Sequence, residues 1–200
     1  MGPWRSLWVL LALLRALQSQ TPRPIPVSYV TRARTRVTPW LVAFHQEQFQ
    51  GEWYVLGLAG NSFRKEDRRL LNPYTATFEL NPDNSFQVSY SMNRGPNCRT
   101  WSYRLLASSR PGHFTVDTGT GGQREDVLVF DSDYRTFAVL LSRKVSHGRE
   151  VLRVSLLGRT WTLRPEAMDK FICLARAHHL SNDNIVFPEV IVWIPAPNSC

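Results

Sequence analysis

From Gly51 onward, apolar and polar residues alternate in short runs at intervals of about 8–14 residues, the spacing of an all-β barrel or sandwich. The runs predict strands over Trp53 to Gly60, Tyr74 to Leu80, Phe86 to Met92, Trp101 to Ala107 and His113 to Asp117. Three more follow over Glu125 to Phe130, Tyr134 to Arg143 and Val151 to Leu157. Turn residues separate them: Asn81-Pro82-Asp83-Asn84, Asn93-Arg94-Gly95-Pro96-Asn97, the glycines at 119, 121 and 122, and Ser146-His147-Gly148. Only after Gly158 does the period change. Pro165 and Glu166 open a helix with Met168, Phe171, Ile172 and Ala175 at helical spacing. Asn184 to Phe187 reads as a short extra strand before a proline-rich tail.

Eight antiparallel strands in sequence order, with short turns, favour an up-and-down barrel with the helix packed outside. A barrel of eight strands encloses room for one small ligand. A tryptophan on the first strand and an arginine just after the last suggest that the two ends of the sheet meet. An apolar container points to binding and carriage before chemistry.

The N-terminus divides the chain. Arg5 followed by the apolar run Leu7 to Leu14 and small or polar residues at Ala16 to Ser19 reads as a signal peptide over 1–19. The run is too short to span a bilayer, which takes about 20 apolar residues. Residues 20–48 read as an extended, partly disordered arm carrying Pro22, Pro24, Pro26 and Pro39 and the cluster Arg32, Arg34 and Arg36. Residues 49–200 form the barrel with its helix and tail. The expected protein is secreted, with no membrane span.

Loss of Arg5 and Arg15 with the leader lowers the formal charge from +8 to +6. The remaining arginines are dispersed and no nucleic-acid motif accompanies them, so nucleic acid is not an expected partner. Three cysteines in a secreted chain imply one disulfide and one free thiol, and periodicity does not choose among Cys98, Cys173 and Cys200. Metal and hydrolase chemistry find no support. The five histidines are scattered except His178-His179, and adjacent helical residues diverge by about 100°. Asp131 and Asp133 sit in a turn, where Asp is expected for local hydrogen bonding. No cofactor is implied.

Three separated motifs in this frame resemble the lipocalin family over most of the mature chain. Gly51-Glu52-Trp53 fits the family's Gly-x-Trp at the first strand. Asp131-Ser132-Asp133-Tyr134 fits its turn before the seventh, and Gly158-Arg159-Thr160 its arginine motif after the eighth. Gly57-Leu58-Ala59-Gly60-Asn61-Ser62 and Asn184-Ile185-Val186-Phe187-Pro188 resemble the epididymal members most, then the prostaglandin-D-synthase and neutrophil types.

The resemblance implies roles for particular residues. Trp53 plugs the closed end of the barrel with Arg159 across its ring, so both are structural. Cys98 pairs with Cys200, leaving Cys173 as a small buried hydrophobe. The family register, with strand alternation, turns Tyr74, Ala76, Phe78, Tyr90, Met92, Trp101, Tyr103, Leu105, Val127, Val129, Ala138 and Leu140 inward. Lys144 and Arg153 share that register. The neutrophil type carries three cations in its cup for an anionic iron chelate. Here Tyr103 takes the third place, which favours a single carboxylate, as in retinoic acid or a fatty acid. The prostaglandin-isomerising type uses a cysteine thiolate on the second strand, and that position, counted back from Cys98, is Tyr74. A phenol of pKa about 10 is no substitute for a thiolate. The implied protein is a non-enzymatic carrier of a small lipophilic ligand. The competing reading is an interaction protein whose loops and basic arm meet a cell-surface receptor.

Overall fold

The computed structural model describes residues 43–64, 66, 72–94, 97–117, 119, 124–146, 148–162 and 164–188. The segment read as a signal peptide, most of the arm, and Cys200 lie outside these residues. The elements are α1 (Gln46–Phe49), β1 (Gly51–Gly60), β2 (Tyr74–Leu80), β3 (Phe86–Arg94), β4 (Asn97–Ala107) and β5 (His113–Asp117). They continue with β6 (Glu125–Ser132), β7 (Phe137–Ser146), β8 (Arg149–Gly158), α2 (Pro165–Ala177) and β9 (Ile185–Val186).

From β1 to β8 each strand pairs antiparallel with the next, and β1 closes the circle by pairing with both β8 and β2. The eight-stranded closed barrel read from the sequence is the fold. The β1–β2 pairing covers only Gly51 to Tyr54 against Thr75 to Phe78. Beyond it, Leu58 and Ala59 pair with β9, so the tail strand covers an edge that β2 leaves.

Two bulges reset the alternation. One lies between Val55 and Gly57, the other between Val129 and Asp131. A bulge adds one residue to its strand and turns the residues after it to the opposite face. Asp131, read from sequence as a turn residue, therefore belongs to β6 and pairs with Val139 on the outer wall. There it is buried and meets Lys170 of α2 at 2.5 Å. The next turn also departs from expectation. Tyr134 does not start β7 but sits in the turn with φ of 63°. The Asp133 carboxylate accepts from the backbone N–H groups of Arg135, Thr136 and Phe137, which holds the turn and delays the strand to Phe137.

α2 begins with proline at its first turn, where the missing N–H costs nothing. Ala167, Phe171, Leu174 and Ala175 make one buried face against Val139, Leu141, Leu152, Val154 and Leu156. Cys173 falls on the opposite face. It is free and exposed, not the small buried hydrophobe expected of it.

Candidate ligand cup

The barrel interior has a packed floor and a polar mouth. The floor is aromatic. Phe49 lies 5.2 Å from Trp53 and 5.0 Å from Phe78, and Phe86 lies 5.5 Å from Phe114. Phe44 packs on both Phe49 and Phe114. The segment Phe44 to Gln48, placed in the arm from sequence, thus belongs to the barrel's closed end. Trp53 is fully buried and its indole N–H donates to the Phe49 carbonyl at 2.8 Å. The Arg159 guanidinium lies 3.7 Å from the centre of the Trp53 ring. Its N–H groups donate to the carbonyls of Glu52 and Gln50, both at 2.8 Å, and more loosely to those of Gln48, Phe49 and Tyr134. The arginine thus ties α1, β1 and the β6–β7 turn into one cap.

Above this floor the interior is aliphatic: Val55, Val88, Leu105, Val127, Val129, Ala138, Leu140 and Leu157. Phe78 and Leu105, both expected to line the ligand site, lie in this packed lower part and are 2% exposed. Tyr74, Tyr90, Met92 and Tyr103 lie nearer the mouth and pack on the same interior cluster. Trp101 is 41% exposed and stacks on Tyr90, with ring centres 5.0 Å apart and planes 6° from parallel. Tyr74 touches both rings.

The tyrosine hydroxyls make the first polar layer. Those of Tyr90 and Tyr103 are 2.8 Å apart. Burial raises Tyr74 and Tyr90 well above the usual phenol range and pushes Tyr103 up to about 12, so all three stay neutral donors and acceptors. Arg153 acts on all three hydroxyls in the opposite sense to burial, which places its charge within electrostatic reach of them.

The register supplies the rest of the layer. Arg153 pairs with Ser142 across β7–β8, and Lys144 pairs with Glu125 across β6–β7. Paired residues share a face. The Ser142 hydroxyl donates to Glu125 Oε1 at 2.5 Å. Arg99, one step outward from Trp101, and Arg149, at the start of β8, stand at the lip. Among the described residues, none of Arg99, Lys144, Arg149 and Arg153 makes an ion pair. Sequence reasoning found Lys144 and Arg153 but missed Glu125, Ser142, Arg99 and Arg149. The signal was present: stepping back by two from Val127 reaches Glu125, and stepping forward from Leu140 reaches Ser142.

Among the described residues no group of three or more His, Cys, Asp or Glu side chains is placed to hold a metal ion. No described helix is long and apolar enough to cross a membrane.

A closed eight-stranded antiparallel barrel with an outer helix, an arginine-capped tryptophan floor and an apolar cup is the architecture of one family. The chain belongs to it: residues 50–191 match the model of the lipocalin / cytosolic fatty-acid binding protein family. It is similar to epididymal-specific lipocalin-12 of Mus musculus, at 45% identity over the full length of both chains. With the Homo sapiens protein of the same name it shares 56% identity, over 81% of this chain and 85% of that one. The solution structure of lipocalin 12 from rat epididymis matches 78% of this chain and 91% of its own, with a TM-score of 0.74 and 41% identity. Members of this family bind small lipophilic ligands.

Proposed function

We propose that this chain is a secreted carrier whose cup holds a lipophilic monocarboxylic acid, a retinoid acid or a fatty acid. The acyl or polyene chain lies against Tyr74, Tyr90, Met92, Trp101 and Tyr103. The carboxylate meets Arg153 and Lys144. One observation carries the reading: Arg153 has no acidic partner among the described residues and acts on three buried, neutral tyrosine hydroxyls. Burying the chain contributes about 25 cal/mol per Å² before ordering costs, and this part is blind to the head group. The head group decides between ligands of one shape.

The test is a pair of ligands that differ only there. A charge-assisted hydrogen bond contributes about 1.5–3 kcal/mol, so retinoic acid should bind roughly ten- to hundredfold tighter than retinol. Tryptophan quenching measures both. Replacing Lys144 and Arg153 together by glutamine should remove the preference and leave retinol binding within about twofold. Equal affinities in the unmutated protein overturn the reading. No saturable quenching by any lipophile would favour the receptor-binding alternative.

The same cup argues against isomerase chemistry. Burial holds the Tyr74 hydroxyl neutral, so the nucleophile position carries neither a thiolate nor a phenolate. No turnover of a prostaglandin endoperoxide above the uncatalysed rate is expected.

For the crosslink we propose Cys98 with Cys200. Cys173 is free and exposed on the outer face of α2. Closing a loop of about 100 residues stabilises by up to about 4–5 kcal/mol in the chain-entropy account. Non-reducing peptide mapping should recover that pair, and a peptide linking Cys173 to either partner would refute it.

A further inference from the structure

The cup contains an acid where its occupant is proposed to be an acid. Glu125 opens β6 with its side chain on the interior face, opposite Lys144 in register. It is half-buried, and the Ser142 hydroxyl fixes its Oε1. Ser142 is itself the register partner of Arg153. A carboxylate therefore stands beside Lys144 in register, fixed by the serine that pairs with Arg153, and neither cation forms an ion pair among the described residues. A glutamate whose only role was to solvate the start of β6 would point to water and need no serine. This one faces inward, and its charge reaches the Tyr90 and Tyr103 hydroxyls in the opposite sense to Arg153.

This charge balance bears on ligand choice. Lys144 and Arg153 bring two positive charges to the inner layer and Glu125 removes one. The layer is left with a single net positive charge, matched to one carboxylate. A second negative charge on the same head group would face Glu125, which is half-buried and so only partly screened. Arg153 is exposed as well, but Arg99 and Arg149 stand farther out along their strands, at the lip, where screening is stronger. We propose that Glu125 is a specificity-determining residue that restricts the cup to lipophiles with a singly charged head group and rejects those with two charges there. The proposal rests on the acid-carrier reading and sharpens its ligand class.

The probes are hexadecanol, hexadecanoate and hexadecylmalonate, which carry zero, one and two charges on one head at pH 8. Glu125→Gln removes the charge while retaining an oxygen that accepts from Ser142, so the strand start is preserved. In the unmutated protein, hexadecanoate should bind more tightly than either of the others. In Glu125→Gln, hexadecylmalonate should gain about tenfold relative to hexadecanoate, and hexadecanol should stay within about twofold. A malonate-to-hexadecanoate ratio unchanged by the substitution overturns the role of Glu125. That ratio decides the point even if the unmutated protein fails to prefer acid over alcohol, the separate result that would sink the acid-carrier reading. A circular dichroism spectrum matching the unmutated protein confirms that both proteins share one fold.

Discussion

Replacing Arg159 by alanine is expected to cost about 3 kcal/mol of folding stability, although the residue stands at the closed end of the barrel, away from the cup's mouth. The substitution removes a planar donor from five backbone carbonyls and from the face of Trp53. Hydrogen bonds to a charged donor contribute about 1.5–3 kcal/mol singly and do not add, and the ring contact contributes about 0.5–2 kcal/mol. Some of the freed carbonyls reach water, which moderates the loss. For a domain of this size the melting temperature should fall by roughly 6–12 °C. Arg159→Lys keeps the charge but offers a point donor in place of a fork, and should recover less than half of the loss. Denaturant melts of the three proteins measure the series. A loss below about 1 kcal/mol for alanine would show that the cap is held by Trp53 and its aromatic neighbours alone.

The second large effect falls on the outer wall. Phe171→Ala should destabilise the fold by about 3–5 kcal/mol, the usual cost of emptying a fully buried aromatic site. Phe171 has no exposed surface, packs on Phe187 at 6.1 Å, and fills space beside Gly57. A Cβ at Gly57 would come within 2.9 Å of the Phe187 ring and 3.5 Å of Phe171, so the strand runs tightly against both rings. Yet Phe171 belongs to the cluster between helix and barrel, separate from the interior cluster around the cup. Ligand affinity, measured well below the lowered melting temperature, should stay within about twofold. A matching loss of affinity would mean that α2 holds the cup in shape.

The two clusters explain what the sequence made legible. Alternation of period two marks strands and their faces, so the barrel, its order and the interior set from Tyr74 to Leu140 were readable. The helix face was readable for the same reason at period 3.6. What escaped reading were places where one local event overrides the period. The bulge before Asp131 turns a residue that looks like a turn carboxylate into a buried partner for Lys170. The Asp133 carboxylate gathers three backbone N–H groups and moves the start of β7 past Tyr134. Phe44 looks like arm sequence because its partners, Phe114 and Tyr134, are far away in the chain. Glu125 escaped for a different reason: it shares the parity of Val127, but a charged residue at a strand start reads as solvated, and the hydrogen bond from Ser142 holds it on the inward face.

The pairing of β1 constrains the order of folding. The strand is the earliest in the barrel to leave the ribosome, yet its longest pairing is with β8, and the rest of its free edge waits for β9. Those contacts join residues separated by about 100 positions or more, and such loops must close before any of their energy is returned. The hairpins from β2 to β8 can zip locally, one turn after another. Closure cannot, because β1 has nothing to pair with along its other edge until β8, the last barrel strand, is made. During synthesis the chain therefore carries an open sheet whose first strand pairs with β2 over Gly51 to Tyr54 alone, and the barrel becomes a barrel only when its late strands arrive.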